Sequence, residues 1–217
     1  MADGSAAGVD VELSARLAEQ LSSLAGGLAH DQDGVGDGLQ SLVRTLSDAV
    51  SGYAALRLTV VHTGHPVHLT ALQTSDPARS VVSSLRLPLP LLSPAVEEGS
   101  RLVLWSTVPG SFVDLAADLD YVLRGRADNV ARTDGPSGTD GVDGAASPAV
   151  GLDLDLPPPP LASGIEGLEE LATINRAAGF LIAEGHEPGT VHEVLRSRAL
   201  GSGLSTHAWA DRLLRPR

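Results

Sequence analysis

The sequence predicts an α+β protein: an N-terminal antiparallel sheet with helices, and a C-terminal three-helix bundle. Three observations predict it. Apolar residues of residues 1–125 recur first at helical spacing and then alternate as in strands. A Gly-, Pro- and Asp-rich stretch over 126–163 reads as a flexible linker. Residues 164–217 return to helical spacing throughout.

The 217 residues allow one or two domains, and 42% hydrophobic content is enough for a packed core. Aromatics are only 3%, so that core must be built from Leu, Val and Ala. No apolar run reaches the roughly 18 residues a membrane helix needs. The acidic stretch Met1–Asp10 lacks the basic and apolar regions of a signal peptide. There is no cysteine, hence no disulfide framework and no thiolate chemistry. Together these features predict a cytoplasmic protein. All 15 basic residues are arginine.

A net charge of -12 argues against binding nucleic acid by bulk electrostatics, but the charge is uneven. Residues 1–125 hold 14 acids against 7 arginines, residues 126–163 hold 6 against 2, and residues 164–217 hold 7 against 6. The C-terminal unit is therefore close to neutral.

Each element has its own signal. Val11, Leu13, Leu17, Leu21 and Leu24 predict one helix; Leu39, Leu42, Val43, Leu46 and Val50 predict a clearer one ending at Gly52. Leu56–Val61 and Val67–Leu72 flank the turn Thr63-Gly64-His65-Pro66 and predict a hairpin. Val81–Leu89 and Arg101–Thr107 predict two further strands. Ser111 is placed to cap a helix whose apolar face is Phe112, Leu115, Ala116, Leu119, Val122 and Leu123. In the C-terminal unit a first helix is expected over Gly164–Ala183, ended by Gly185. A second is expected from Pro188, lined by Val191, Val194 and Leu195, and a third capped by Ser205 or Thr206. Gly179 in mid-helix costs about 0.5–1 kcal/mol relative to Ala, which predicts another helix close against it.

Ile174-Asn175-Arg176-Ala177-Ala178-Gly179-Phe180-Leu181-Ile182, then Gly185, Val194-Leu195-Arg196-Ser197-Arg198-Ala199, Gly203 and Ala208-Trp209-Ala210 together resemble an ANTAR domain over about 50 residues. The chain departs from that family's pattern at Ala178, His192, Gly203 and Leu204. Upstream, the run from Tyr53 through Leu85-Arg86-Leu87-Pro88 to Pro109-Gly110-Ser111-Phe112 and Asp118-Leu119 resembles the shortened GAF-like domains that precede ANTAR domains in actinobacteria. The resemblance implies an antitermination regulator: a GAF-like sensor and dimerisation domain over 1–125, taking a small-molecule or protein signal, and an ANTAR domain that grips hairpin RNA in pairs. It implies a homodimer, no cofactor and no catalysis.

Specific RNA readers use arginine planes, aromatic stacking and phosphate contacts at unpaired loop bases. The candidate RNA-binding residues are therefore Arg176, Arg196, Arg198 and Arg212. Arg196 and Arg198 lie two apart on one helix and must diverge. The alternative is that these are ordinary solvated arginines on a protein-interaction and dimerisation module that binds no RNA. His62, His65 and His68 lack an accompanying Cys or carboxylate and read as a polar hairpin rather than a metal site. No phosphate loop, nucleophile elbow or HExxH motif points to an enzyme.

Overall fold

The computed structural model describes residues 20, 35–73, 81–93, 95–121, 123, 150–153 and 158–215. Helix α1 spans Val35–Ala49. Strands β1 (Tyr53–His62), β2 (His65–Leu72), β3 (Ser83–Pro88) and β4 (Arg101–Ser106) follow, with a short 3-10 turn at Leu89–Leu91. A helix over 113–121 is α2. Two short strands, β5 (Gly151–Leu152) and β6 (Gly164–Glu166), precede helices α3 (Leu168–Ala183), α4 (Val191–Gly201) and α5 (Thr206–Leu214). The fold is α+β: one six-stranded antiparallel sheet in the order β5-β3-β4-β1-β2-β6, with helices. The helix expected around Val11–Leu24 lies outside the described residues, apart from Gln20.

Strand alternation sorts the sheet into two faces. Leu56 and Leu58 of β1, Leu85 and Leu87 of β3, and Leu102 and Leu104 of β4 share a face and pack against Leu42 and Leu46 of α1 and Phe112, Ala116 and Leu119 from α2 and the turn before it. These are the positions the leucine periodicity marks out, and Tyr53 and Phe112 are the aromatic residues in that core. The opposite face carries Ala55, Val103 and Trp105, interspersed with arginines.

Three expectations shift. The segment expected as a linker contributes β5, where Asp153 bonds both ways with Ser84: its amide donates to the Ser84 carbonyl at 3.1 Å and its carboxylate accepts from the Ser84 amide at 2.6 Å. Residues 164–166, expected to start the first C-terminal helix, instead pair with His68, Leu69 and Thr70 of β2. The helix begins at Leu168 because Gly167 turns the chain with φ +91. Ser111 does not cap α2; its hydroxyl donates back to the Val108 carbonyl at 2.6 Å.

Gly167 also sets how closely the helices approach the sheet. A Cβ there would lie 2.6 Å from the Pro66 carbonyl oxygen, a backbone atom that cannot step aside. We expect Gly167→Ala to destabilise the protein by about 1–3 kcal/mol through the positive φ and the clash together, read as a lower urea midpoint. An unchanged midpoint would mean that the turn is not held.

Candidate nucleic-acid interface

The three C-terminal helices bury Ile174, Ala177, Ala178 and Leu181 of α3 against Val191 and Leu195 of α4 and Ala210 of α5. Val194, Trp209, Leu213 and Leu214 are partly buried around them. Ser205 caps α5 as expected, its hydroxyl accepting from the Ala208 amide at 3.1 Å. With small and aliphatic side chains filling the interior, the described arginines of the unit, Arg176, Arg196, Arg198, Arg212 and Arg215, are all exposed.

Arg198 lies against Trp209, and Arg212 shares a groove with the same ring. The Arg198 guanidinium carbon lies 5.9 Å from the centre of the indole, within cation–π range, and one of its nitrogens is 3.3 Å from His186 Nε2. Arg212 and Arg215 line a groove of about 890 Å³ with Phe180, Glu184, Ser202 and Trp209. Arg215 is engaged by Asp211 at 2.6 Å. Arg176 precedes Phe180 by one turn on the same strip of α3 and donates to the Thr173 hydroxyl at 3.0 Å. Phe180 is 43% exposed, so one edge of its ring is open to a ligand. No family model, curated protein or solved structure matches the chain. The groove must therefore be read from its own chemistry.

Arg196 goes elsewhere, as its two-residue offset from Arg198 requires. It reaches the β1–β2 turn, where a Cβ added to Gly64 would stand 3.2 Å from its Nε. With His65, Pro66, Leu200, Leu204 and His207 it lines a cleft of about 460 Å³ between the hairpin and the helices. The turn is fixed by Glu97, whose carboxylate accepts from the amides of Thr63 and Gly64, the latter at 2.9 Å. His192 of α4 belongs to the same junction. Burial lowers its pKa below the usual histidine value, the cationic side of His62 and Arg196 lowers it further, and Glu97 opposes them.

Sequence reasoning passed over Phe180 and Trp209 as site residues. The i,i+4 spacing of Arg176 and Phe180 was the available signal; the approach of Arg198 to Trp209 depends on how α4 and α5 pack and leaves no local trace. Gly179 is a correction. Among the described residues nothing lies within 4 Å of where its Cβ would be, so none of the described helices approaches it. It stands open on the exposed strip between Arg176 and Phe180.

Two predictions follow from this geometry. Gly179→Ala should raise stability by about 0.5–1 kcal/mol, because the helix gains propensity and the methyl meets no neighbour; a lowered unfolding midpoint would contradict it. The depressed pKa of His192 means that the unfolded chain binds protons more readily than the folded one, so stability is full above the unfolded value of about 6.5 and falls as pH drops below it toward the folded value. An NMR titration should place the His192 midpoint below that of a free histidine, and His192→Gln should remove part of the acid loss.

Proposed function

We propose that the C-terminal helices form an ANTAR-like module that binds the unpaired loop bases of hairpin RNA, and that the N-terminal unit is a GAF-like sensor and dimerisation domain in front of it. The protein is on this reading a cytoplasmic transcription antitermination regulator that acts as a homodimer, each copy gripping one hairpin. The observation that carries it is the groove lined by Phe180, Trp209 and Arg212, with the Arg198 guanidinium against the Trp209 ring. Base stacking on such faces is worth about 1–3 kcal/mol per base and tolerates any sequence, while arginines hold the phosphates. The uncovered Gly179 supports the same reading: a mid-helix glycine weakens its helix, and what it offers in return is room for a ligand backbone against α3.

In this mechanism a loop base stacks on Phe180, Trp209 backs the groove with Arg198 held against it, and Arg176 and Arg212 contact flanking phosphates. Arg196 has a different role at the junction with the hairpin. The near-neutral charge of residues 164–217 lets a polyanion approach despite the acidic remainder. A second reading, a helix-pairing module without RNA, is favoured by Leu200, which is 82% exposed on α4 beside the cleft.

The test is binding of the full chain to a panel of two-hairpin RNAs at two salt concentrations. Phe180→Ala should cost about 1–3 kcal/mol of affinity, and each of Arg176→Ala and Arg212→Ala should lower the salt slope by about one unit. Gly179→Ala should bind more weakly although it folds more stably, and Arg196→Ala should change affinity least. Equal binding of hairpins and unstructured RNA by the wild type would overturn the reading in favour of helix pairing.

A further inference from the structure

The face of the sheet turned away from α1 and α2 concentrates positive charge. Arg57 of β1 and Arg86 of β3 both stand opposite Val103 of β4, one on each side, and Arg101 lies two residues before Val103 on the same strand. All three therefore point to one face. Two strand spacings separate Arg57 from Arg86, about 10 Å, and Arg101 completes the triangle about 7 Å along β4. Long guanidinium side chains span such a triangle easily.

Like charges clustered on one sheet face are destabilising. A chain with 27 acids against 15 arginines has ample carboxylates to neutralise them, yet among the described residues the triad has one ion pair, Arg57 to Glu166 at 3.7 Å. Arg57 is further anchored by donating from Nε to the Thr70 hydroxyl at 3.3 Å. Arg101 reaches only the Gly99 carbonyl, at 3.5 Å, and Arg86 is exposed. The mutual repulsion is felt: burial first, then Arg86 and Arg57, lower the pKa of Arg101. An arrangement that repels itself when empty is stabilised by an anion.

We infer that Arg57, Arg86 and Arg101 form a binding site for a compact phosphate-bearing ligand on the face of the sheet opposite α1 and α2, where Arg86 is exposed and Arg57 and Arg101 are half-buried. Planar guanidinium forks match phosphate oxygens two at a time, and three arginines gathered on one sheet face within electrostatic reach of one another suit a di- or triphosphate group. A nucleic-acid strand fits less well, since Trp105, the aromatic residue of that face, is 1% exposed and offers no stacking surface, and the acidic chain repels an extended polyanion. The inference goes beyond the RNA reading by giving the N-terminal unit an input of stated chemistry, and it stands or falls separately.

Pyrophosphate is the probe, titrated calorimetrically into the full chain at constant ionic strength. Saturable one-site binding is expected. Arg86→Gln and Arg101→Gln should each weaken it about tenfold or more, the loss of one charge-assisted contact, while melting no lower than wild type without ligand because repulsion is relieved. Arg44→Gln, on the exposed side of α1, and Phe180→Ala, in the RNA groove, should bind as wild type does. Failure of the RNA test with this pattern intact would leave the site standing. No saturable binding by the wild type, including the case of an acidic segment of the chain already occupying the patch, overturns the inference. So does unaltered binding by the Arg86→Gln/Arg101→Gln double variant, or an equal loss in Arg44→Gln, which would reduce the effect to bulk charge.

Discussion

The β1–β2 hairpin is the constraint on which the rest of the molecule depends. β1 is hydrogen-bonded on both sides, to β4 from Tyr53 to Thr59 and to β2 from Ala55 to His62. Its Leu56 and Leu58 reach the helix-covered core, while its Arg57 faces the other way. β2 in turn supplies the edge on which β6 adds, and so delivers the chain to α3. The turn between the strands is not a free loop. Thr63 and Gly64 both take left-handed backbone conformations, and Glu97 satisfies their amides from across the sheet. That clamp turns a flexible tip into a fixed surface, against which Gly167 packs on Pro66 and Arg196 packs on Gly64.

Elements whose signal is local were legible in the sequence. The helix ending near Gly52, the hairpin around Thr63–Pro66, the strands at β3 and β4, and the Ser205 cap all stand where periodicity and turn chemistry put them. Their information lies within a few residues: an apolar stripe, a glycine with positive φ, a hydroxyl before a helix. β5 and β6 were not legible. Two or three residues cannot display an alternation, and Gly151–Leu152 and Gly164–Glu166 become strands only because β3 and β2 present unpaired edges to them. Ile165 falls inside the helix that spacing predicts over Gly164–Ala183; its pairing with Leu69 is a long-range event that no window around Ile165 contains.

The candidate site divides in the same way. That Arg196 and Arg198 must diverge follows from helix geometry, and they do, toward the hairpin and toward Trp209. Which of the two would meet a ligand does not follow from spacing, since it depends on what else packs beside α4. Gly179 shows why a local signal can point to the wrong face. A helix-weakening glycine needs an explanation, and interhelical packing is the common one, yet the explanation has to be sought on the outer face once Ala177 and Ala178 are seen to fill the inner one. The arginine triad is invisible in sequence because Arg57, Arg86 and Arg101 come together only through the register of three strands, with β1 brought beside β4 from the far side of β2 and β3 in the chain.

The two proposed sites are not mechanically independent. Arg57 and the Thr63–Gly64 turn belong to one side of the same hairpin, and a strand in a packed sheet transmits displacement because its neighbours leave it little room to bend. An anion that draws Arg57 toward Arg86 and Arg101 would compete with Glu166, the carboxylate Arg57 now faces, and Glu166 is the last residue of β6, immediately before the Gly167 turn. The ligand and the helical unit would thus contend for one guanidinium. Such competition is reciprocal: whatever ligand binding takes from the seating of α3, a firmly seated α3 takes from ligand affinity. Because Arg57–Glu166 is a half-exposed pair at 3.7 Å, its own share of that coupling is small, of the order expected for surface ion pairs, about 0–1 kcal/mol. Larger coupling would have to come from the Pro66–Gly167 contact, where backbone meets backbone and a small shift is expensive. The sheet edge at β2 and β6, rather than the groove itself, is therefore where a signal on the first unit would be converted into a change in the second.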